Sequence, residues 1–531
     1  MSMTRTAQAE SRRWPGLLHF AVPAAVLLAL YCFNVFQLSQ WYEAEIPTGP
    51  DQLCYLRQAQ LFEQKGSIGG LDTAMRFEGA RYLVAKAKAL GFLAFPEPSW
   101  IASIAPECHR YKAATDQIIS QYPPGTGFFL SFFHETHRVR AFYIAIETAV
   151  LAWFVWLIFT ARSAAAAWLF GAFGSFLVIQ INYEGYMSFS LPLSMLLCAV
   201  LGHCTVALLL SRDTRKRVLI AAACGLLLGV LVSLRIANIL LSGGFFLAFA
   251  DMYLRKRDRG IFPAAVAFAL AFAIALVPNL AANAINAGSP LATTYGGEDA
   301  ARPVFSWQQI AAALDYYFIG EGIGYVFDVG LAGILVFEIG RRWLRLKSIP
   351  YVSFINTATW LIAAAYYLTH SILNSYYLIA TATFSLALLV FGAAEILRMH
   401  AADENAARRA ASPGIAAGIA AAGLALFAVI LWRLDDAPKL PPASQPFESS
   451  AIIWADQSAG LFGYYLQRHA AAIDNTSRLF QDKMIDAVAA DGRAQYFIAD
   501  NKKMQALIER IPEIRPAADT FGYKTYRLAP R

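Results

Sequence analysis

Long apolar runs follow one another through most of this 531-residue sequence, and that pattern leaves few folds open. A run of 18 or more apolar residues is long enough to cross a bilayer as a helix, and several occur here. Eleven such spans are read near 15–38, 139–160, 163–181, 187–210, 217–234, 236–254, 261–280, 323–340, 350–369, 374–397 and 414–432. Only 15% of the residues are charged, where a soluble domain carries about 25%. The first span follows Arg12 and Arg13. It is too long for a signal-peptide core and has no small-residue cleavage site, so it reads as a retained anchor. The expected fold is an α-helical polytopic membrane protein of about eleven spans.

The charges give the chain a direction. With the N-terminus inside, nineteen Arg and Lys residues fall in inner segments, among them Arg212, Arg215, Lys216, Arg217, Arg255, Lys256, Arg257 and Arg259. The short outer loops hold only Arg302, with Arg235 near an outer membrane boundary. That bias places the inner loops in the cytoplasm. It puts the first long loop (39–137) and the tail (433–531) on the outer face. The net charge of +7 therefore reflects membrane orientation, and nucleic acid is not an expected partner. The inner loops have no room for a nucleotide-binding domain, and neither a P-loop nor a dinucleotide fingerprint occurs. Function is expected outside.

The first outer loop is too long for a connector. Gly49-Pro50 makes a turn, and Asp51 opens a helix expected to run to about Lys65. A carboxylate suits a helix N-terminus, where N–H groups are exposed. Tyr55 shares a face with Asp51. The same residues also suit a plain cap and a packing tyrosine. A glycine break (Gly66, Gly69, Gly70) precedes a second helix, about Gly79 to Leu90, with Arg81, Lys86 and Lys88. The loop continues through Glu107-Cys108-His109-Arg110 to Asp116. Tyr122-Pro123-Pro124-Gly125-Thr126-Gly127 closes it with a rigid turn. Of the six cysteines, Cys54 and Cys108 share this loop; a disulfide and a pair of free thiols are both open, and no metal-ligand spacing is evident.

Two short outer segments add candidates. Glu184, in Tyr183-Glu184-Gly185, is either a site residue or a solvated loop acid. Arg235 lies between apolar runs and needs a carboxylate, carbonyl oxygens or a phosphate. The loop after the seventh span carries Asn286, Gly288-Ser289-Pro290-Leu291 and Tyr295, then a surface helix over Trp307–Phe318. Beyond a proline-rich linker, the tail reads as strand 451–454, helices 458–468 and 483–490, strand 495–498, helix 502–511 and strand 523–528. Two domains are expected: a membrane domain over 1–435, including the outer loop, and a small extracytoplasmic α/β domain over 436–531.

The chain resembles the GT-C superfamily of membrane glycosyltransferases, nearest the bacterial protein mannosyltransferases and lipid A aminoarabinose transferases. Asp51, Tyr55 and Ala59 are similar to that family's Asp-Glu-x-x-Tyr-x-x-x-Ala pattern. Tyr122-Pro123-Pro124-Gly125 resembles its loop-closing turn. Asn286 with Gly288–Leu291 and Tyr295, and Gly229 with Arg235, resemble later segments. Gln52 stands where the family often has a second acid, and Cys54 where some members have a basic residue. The resemblance implies a polyprenyl-phosphate-linked sugar donor, transfer with inversion, and a site on the periplasmic face of the inner membrane. The acceptor, whether lipid, glycan or protein, stays open.

A sugar on a lipid phosphate already has a good leaving group. Transfer then needs a base for the acceptor hydroxyl and positive charge for the departing phosphate. Asp51 is the expected catalytic base. Gln52, Tyr55, Asp116 and Glu184 are supporting candidates, and Arg235, Lys86 and Arg81 are the expected phosphate ligands. No cofactor is certain and metal dependence stays open, since Asp51 and Glu184 offer oxygen ligands for a divalent cation. An oligosaccharide ligase or polymerase acting on lipid-linked glycans is the nearest rival, and donor identity separates the two. A transporter or a non-catalytic scaffold is the other; a transporter would line mid-membrane with polar groups.

Overall fold

The computed structural model describes residues 14–40, 50–92, 99–106, 108–134, 137–185, 188–295, 305–318, 334, 337–339, 342, 349, 351–370, 373–401, 447–456, 458–466 and 468–529. The protein is an integral membrane protein. Among the described residues, eight helices are long and apolar enough to cross a bilayer: Leu18–Ser39, Arg138–Thr160, Ala164–Tyr183, Leu191–Leu210, Thr214–Leu234, Ile236–Leu254, Ile261–Ala287 and Tyr376–Met399. A shorter apolar helix, Val352–Leu368, occupies the expected span 350–369. Each lies within a few residues of its expected position, apart from the seventh, which runs on to Ala287. The expected spans 323–340 and 414–432 fall almost wholly outside the described residues.

Two compact units divide the chain. One holds most of the spans; the other gathers Trp41–Arg138, Pro278–Ala300 and Ala437–Arg531. Within the first unit, Glu147 is fully buried in the span Arg138–Thr160. Asn34 Nδ2 donates to its Oε1 at 3.4 Å and to the Val178 carbonyl at 2.7 Å, and Tyr31 pairs with Thr148 at 2.8 Å. The sequence pattern gave little sign of this polar cluster, because a single acid barely lowers the hydropathy of a 23-residue run.

The second unit is built on helix α1 (Pro50–Gly69). Its helical geometry breaks at Gly66, whose φ of 74° belongs to the left-handed region that glycine enters without a Cβ clash. Helix α2 (Glu78–Ala89) follows, close to the expected segment. Strands β1 (His109–Lys112) and β2 (Gln117–Ser120) form an antiparallel hairpin, with His109 opposite Ser120. The sequence reading passed over this hairpin, whose strands are only four residues long. Helix α3 (Gly125–Leu130) continues from the proline turn.

The tail adds β3 (Ile452–Trp454), α4 (Ala459–Tyr465), β4 (Ala470–Ala471), α5 (Arg478–Ala490), β5 (Gln495–Ile498), α6 (Lys502–Glu509), β6 (Arg515–Pro516) and β7 (Thr525–Leu528). Its sheet has the order β4-β3-β5-β7-β6. β3 is parallel to β4 and β5, while β7 is antiparallel to β5 and β6. Pro516 sits on the edge strand, where a missing N–H is tolerated. The α/β reading of the tail holds; the two-residue strands β4 and β6 are additions.

Alternation along β3 decides how the tail packs. Ile452 and Trp454 face one way and join Ala80, Leu83 and Ala87 of α2, Trp100, Tyr111 and Ile118 in one hydrophobic core. Ile453 and Ala455 face the other way and join Phe462, Ala470 and Ile498 in a core internal to the tail. Period-2 side-chain direction is what allows one strand to serve both. Polar contacts reinforce the junction. Arg493 forks onto Glu78 at 2.7 and 3.0 Å and lies over the Tyr82 ring at 3.7 Å. His469 Nε2 donates to the Ile104 carbonyl at 2.5 Å, and Ala472 N to Ser103 O at 2.9 Å. The tail and the first long loop thus share one core.

Candidate active site

Helix α1 starts at Pro50, whose fixed φ suits a first helical residue, and Asp51 is its second. This places Asp51 where the helix favours negative charge. Gln52 and Tyr55 are buried at 3% and 2% exposure. Tyr55 stacks on Tyr122 with ring centroids 4.9 Å apart, and Tyr122 meets Tyr295 edge-on at 5.6 Å. The three tyrosines come from the three outer-loop stretches singled out in the sequence.

Hydrogen bonds tie the same stretches together. Gln58, one turn beyond Tyr55, donates to the Tyr122 carbonyl at 2.7 Å and to Ser120 Oγ at 3.1 Å. Thr294 Oγ1 donates to Gln121 O at 2.6 Å. Asn286 is 3% exposed and uses both ends of its amide. Its Oδ1 accepts from Thr73 N and Oγ1 at 3.0 and 3.1 Å, and its Nδ2 donates to Leu71 and Ala282 carbonyls at 2.8 Å each. Lys112 Nζ donates to the Asn286 carbonyl at 3.1 Å. The Pro-Pro-Gly-Thr-Gly stretch has a packing reason: a Cβ on Gly127 would lie 2.3 Å from Gln58 Cβ. Only glycine lets α3 cross α1 so closely.

The tail reaches the same helix. Helix α4 packs on α1, and a Cβ on Gly460 would lie 2.8 Å from Leu53 Cβ. Leu53 is two residues from Asp51.

The remaining candidates have other surroundings. Asp116, at a φ of 51° in the hairpin turn, accepts from Tyr111 at 2.7 Å and lies 3.8 Å from Arg81. Lys86 is 2.5 Å from Asp491, which also accepts from Tyr82 at 2.7 Å. Arg81 and Lys86 therefore both have carboxylate partners. Glu184 lies in the last turn of Ala164–Gly185, in the first unit. Arg235 belongs there too. It is extended (φ −156°, ψ 119°) between Thr214–Leu234 and the short turn Ile236–Ile239, so the helix breaks at it. Asn238 Nδ2 donates to Leu231 O at 2.8 Å, a carbonyl that also accepts from Arg235 N at 3.0 Å. The guanidinium lies 4.5 Å from the Tyr376 ring centroid and 4.9 Å from that of Tyr377, an aromatic seat for a buried cation.

Two groups escaped the sequence reading. Arg57 is 9% exposed and donates to Gln60 Oε1 at 2.8 Å and Met75 Sδ at 3.2 Å. Cys54, Cys108 and His109, all buried, place one ligand atom each within 4.8 Å of one another. Both cysteines are free thiols, so of the two alternatives left by the sequence the disulfide is not formed. Burial pushes the Cys54 thiol up. Hydrogen bonding with Cys108 and the charge on His109, with further hydrogen bonds from His109 and Ser120, outweigh it and leave the thiol low, at about 5. Cys54 and Cys108 were visible as two cysteines of one loop, but nothing in the spacing joined His109 to Cys54, 55 residues earlier.

No family model matches the sequence, and no curated protein matches it. Among solved structures, the chain is similar to ArnT from Cupriavidus metallidurans in the apo state, at 13% identity and a TM-score of 0.39, over 86% of this chain and 94% of that one. It is also similar to the same organism's ArnT bound to undecaprenyl phosphate, at 11% identity and a TM-score of 0.37, over 96% and 97% of the two chains.

Proposed function

We propose that this chain is a membrane glycosyltransferase that moves a sugar from a polyprenyl-phosphate donor to an acceptor hydroxyl, with inversion, on the periplasmic face of the inner membrane. The meeting of the Asp51 helix, the Tyr122–Gly127 turn and the Asn286–Tyr295 loop in one unit supports this reading most directly. These are the stretches whose residues resemble the GT-C pattern, and a chain without that function has no evident need to bring them together.

In this reading Asp51 takes the proton from the acceptor hydroxyl as its oxygen attacks the anomeric carbon. The carbon–oxygen bond to phosphate breaks on the opposite side, and its electron pair leaves with polyprenyl phosphate. One carboxylate is enough because the leaving group needs no proton, unlike the two carboxylates of glycoside hydrolysis. Arg235 holds the donor phosphate, its aromatic seat fixing the planar guanidinium for a two-point contact. Arg81 and Lys86 would serve phosphate only by exchanging the carboxylates they now hold. Tyr55 and Gln52 orient the start of α1. Asp116 serves the hairpin turn.

The test compares wild type with Asp51→Asn, purified in nanodiscs and given polyprenyl-phosphate sugars, following release of polyprenyl phosphate. Loss of the base is expected to lower turnover by roughly 10²–10⁴-fold with donor binding retained. Wild-type turnover in the variant would remove Asp51 from the mechanism.

A further inference from the structure

We infer that Cys54, Cys108 and His109 form a binding site for a thiophilic divalent cation, Zn2+, that fastens the start of helix α1 to strand β1. The site stands on geometry and does not depend on the transferase reading. Cys54 Sγ lies 3.9 Å from His109 Nδ1 and 3.8 Å from Nε2, and Cys108 Sγ lies 3.6 Å from Nδ1. Zinc binds sulfur at about 2.3 Å and imidazole nitrogen at about 2.0–2.1 Å. A tetrahedral angle then separates a sulfur from a nitrogen by about 3.6 Å, and two sulfurs by about 3.8 Å. The sulfur–nitrogen spacings found require shifts of only a few tenths of an ångström, and the two sulfurs lie within 4.8 Å of one another. Two thiolates with one imidazole are the donor set that selects zinc over hard cations.

The surroundings suit such a site. Cys54, Cys108 and His109 are 0%, 8% and 7% exposed, so a bound ion would be shielded from water and competing ligands. Ser120 Oγ lies 3.0 Å from Cys54 Sγ and lines the remaining side. Cys54 also lies 2.8 Å from the Cys108 carbonyl, to which the thiol donates. Metal loading replaces that hydrogen with the ion, releasing one proton from each thiol. The two ligand-bearing segments belong to different elements: Cys54 sits one turn beyond Asp51 on α1, and Cys108-His109 enters β1 through a residue with φ of 61°. The ion would thus set where α1 begins.

The full chain, purified in detergent without chelators, is expected to carry about one zinc per chain by inductively coupled plasma mass spectrometry. Co2+ exchanged into the site should give a thiolate-to-metal charge-transfer band and the visible bands of tetrahedral cobalt. Cys54→Ser, Cys108→Ser and His109→Gln should each lower the metal content at least tenfold, with the thermal transition of the membrane-embedded chain showing that each variant folds. The cobalt titration of wild type needs no variant and stands if any of them fails to fold. The assignment is overturned if wild type takes up neither ion, whether Cys54 and Cys108 are then found as thiols or as a disulfide. It is equally overturned if stoichiometric metal persists in Cys54→Ser and His109→Gln.

Discussion

A side chain at Gly460 should damage a site it does not touch. A Cβ there would lie 2.8 Å from Leu53 Cβ, 2.9 Å from its Cδ1 and 3.4 Å from its Cγ. Carbon atoms in contact sit about 3.5–4.0 Å apart, so the overlap is about 1 Å. Either α4 and α1 part by that much or Leu53 leaves its rotamer. Overpacking of this kind costs about 1–3 kcal/mol. Because Leu53 is two residues from Asp51, the same shift moves the start of α1, and a misplacement of about 1 Å at a catalytic group can cost about 10²-fold in rate. Gly460→Ala is therefore expected to fold, to melt several degrees lower, and to lose about 10–10²-fold in polyprenyl phosphate release; Gly460→Val should lose more. Leu53→Ala deletes two of the three clashing atoms. In a double-mutant cycle, Gly460→Ala with Leu53→Ala should be less damaging than the two losses added. Wild-type turnover and melting in Gly460→Val, or strict additivity in the cycle, would refute the view that the tail buttresses this helix.

Other perturbations have equally definite outcomes. Burial pushes His469 down to about 4, against an ordinary value near 6.5. Below about pH 6.5 the unfolded chain takes up a proton that the folded chain refuses, so His469 withdraws up to about 3 kcal/mol of stability as pH falls to 4. Burial and the charges of Asp474 and Asp500 hold Asp456 up at about 6, with the opposite sign: its folded form gains the proton first, and stability rises as pH falls through 6. Melting curves should show His469→Gln gaining on wild type from pH 6.5 to 4.5 and Asp456→Asn losing ground over the same range; parallel profiles would refute both assignments. Asn286→Leu should lower stability by about 2–4 kcal/mol in chemical denaturation, because Thr73 N and the Leu71 carbonyl lose their partner inside the protein. An effect under about 0.5 kcal/mol would mean that water reaches them. Arg235→Lys should raise the donor KM more than it lowers kcat, since an ammonium cannot keep the planar seat against Tyr376 and Tyr377; an unchanged KM would argue against a phosphate role.

What could be read from the sequence was whatever a repeating pattern or a stiff residue enforces. The nine apolar helices among the described residues were legible because a span must hide its backbone in about 20 consecutive residues, and nothing tertiary can alter that need. Gly66 was legible as a break, and the end of α1 as a consequence, because positive φ is almost a glycine property. Strands β1, β2, β4 and β6 were not. At two to four residues they carry no measurable alternation, and they exist only because a neighbouring strand supplies the other half of the ladder. The candidate site divides the same way. Asp51 and the proline-glycine turn declare themselves by residue type, whereas the contacts Asn286–Thr73 and Cys54–His109 join positions 213 and 55 residues apart, which local pattern cannot see.

That division bears on how the unit came to need its tail. Helix α1 is short of apolar residues for its length, and its buried face includes Gln52, Arg57, Gln58 and Gln60. Such a helix gains little from burial alone, and its polar groups must each be matched. The hairpin matches Gln58 through Ser120, the proline turn through Tyr122, and α4 supplies the apolar contact at Leu53. Every one of these partners comes from at least 60 residues away in sequence. A helix held this way is positioned by the unit as a whole and not by its own propensity. Deleting the tail should therefore abolish turnover even though the tail carries none of the residues assigned to the chemistry, and a truncated chain that still released polyprenyl phosphate at the wild-type rate would show that α1 holds its place without it.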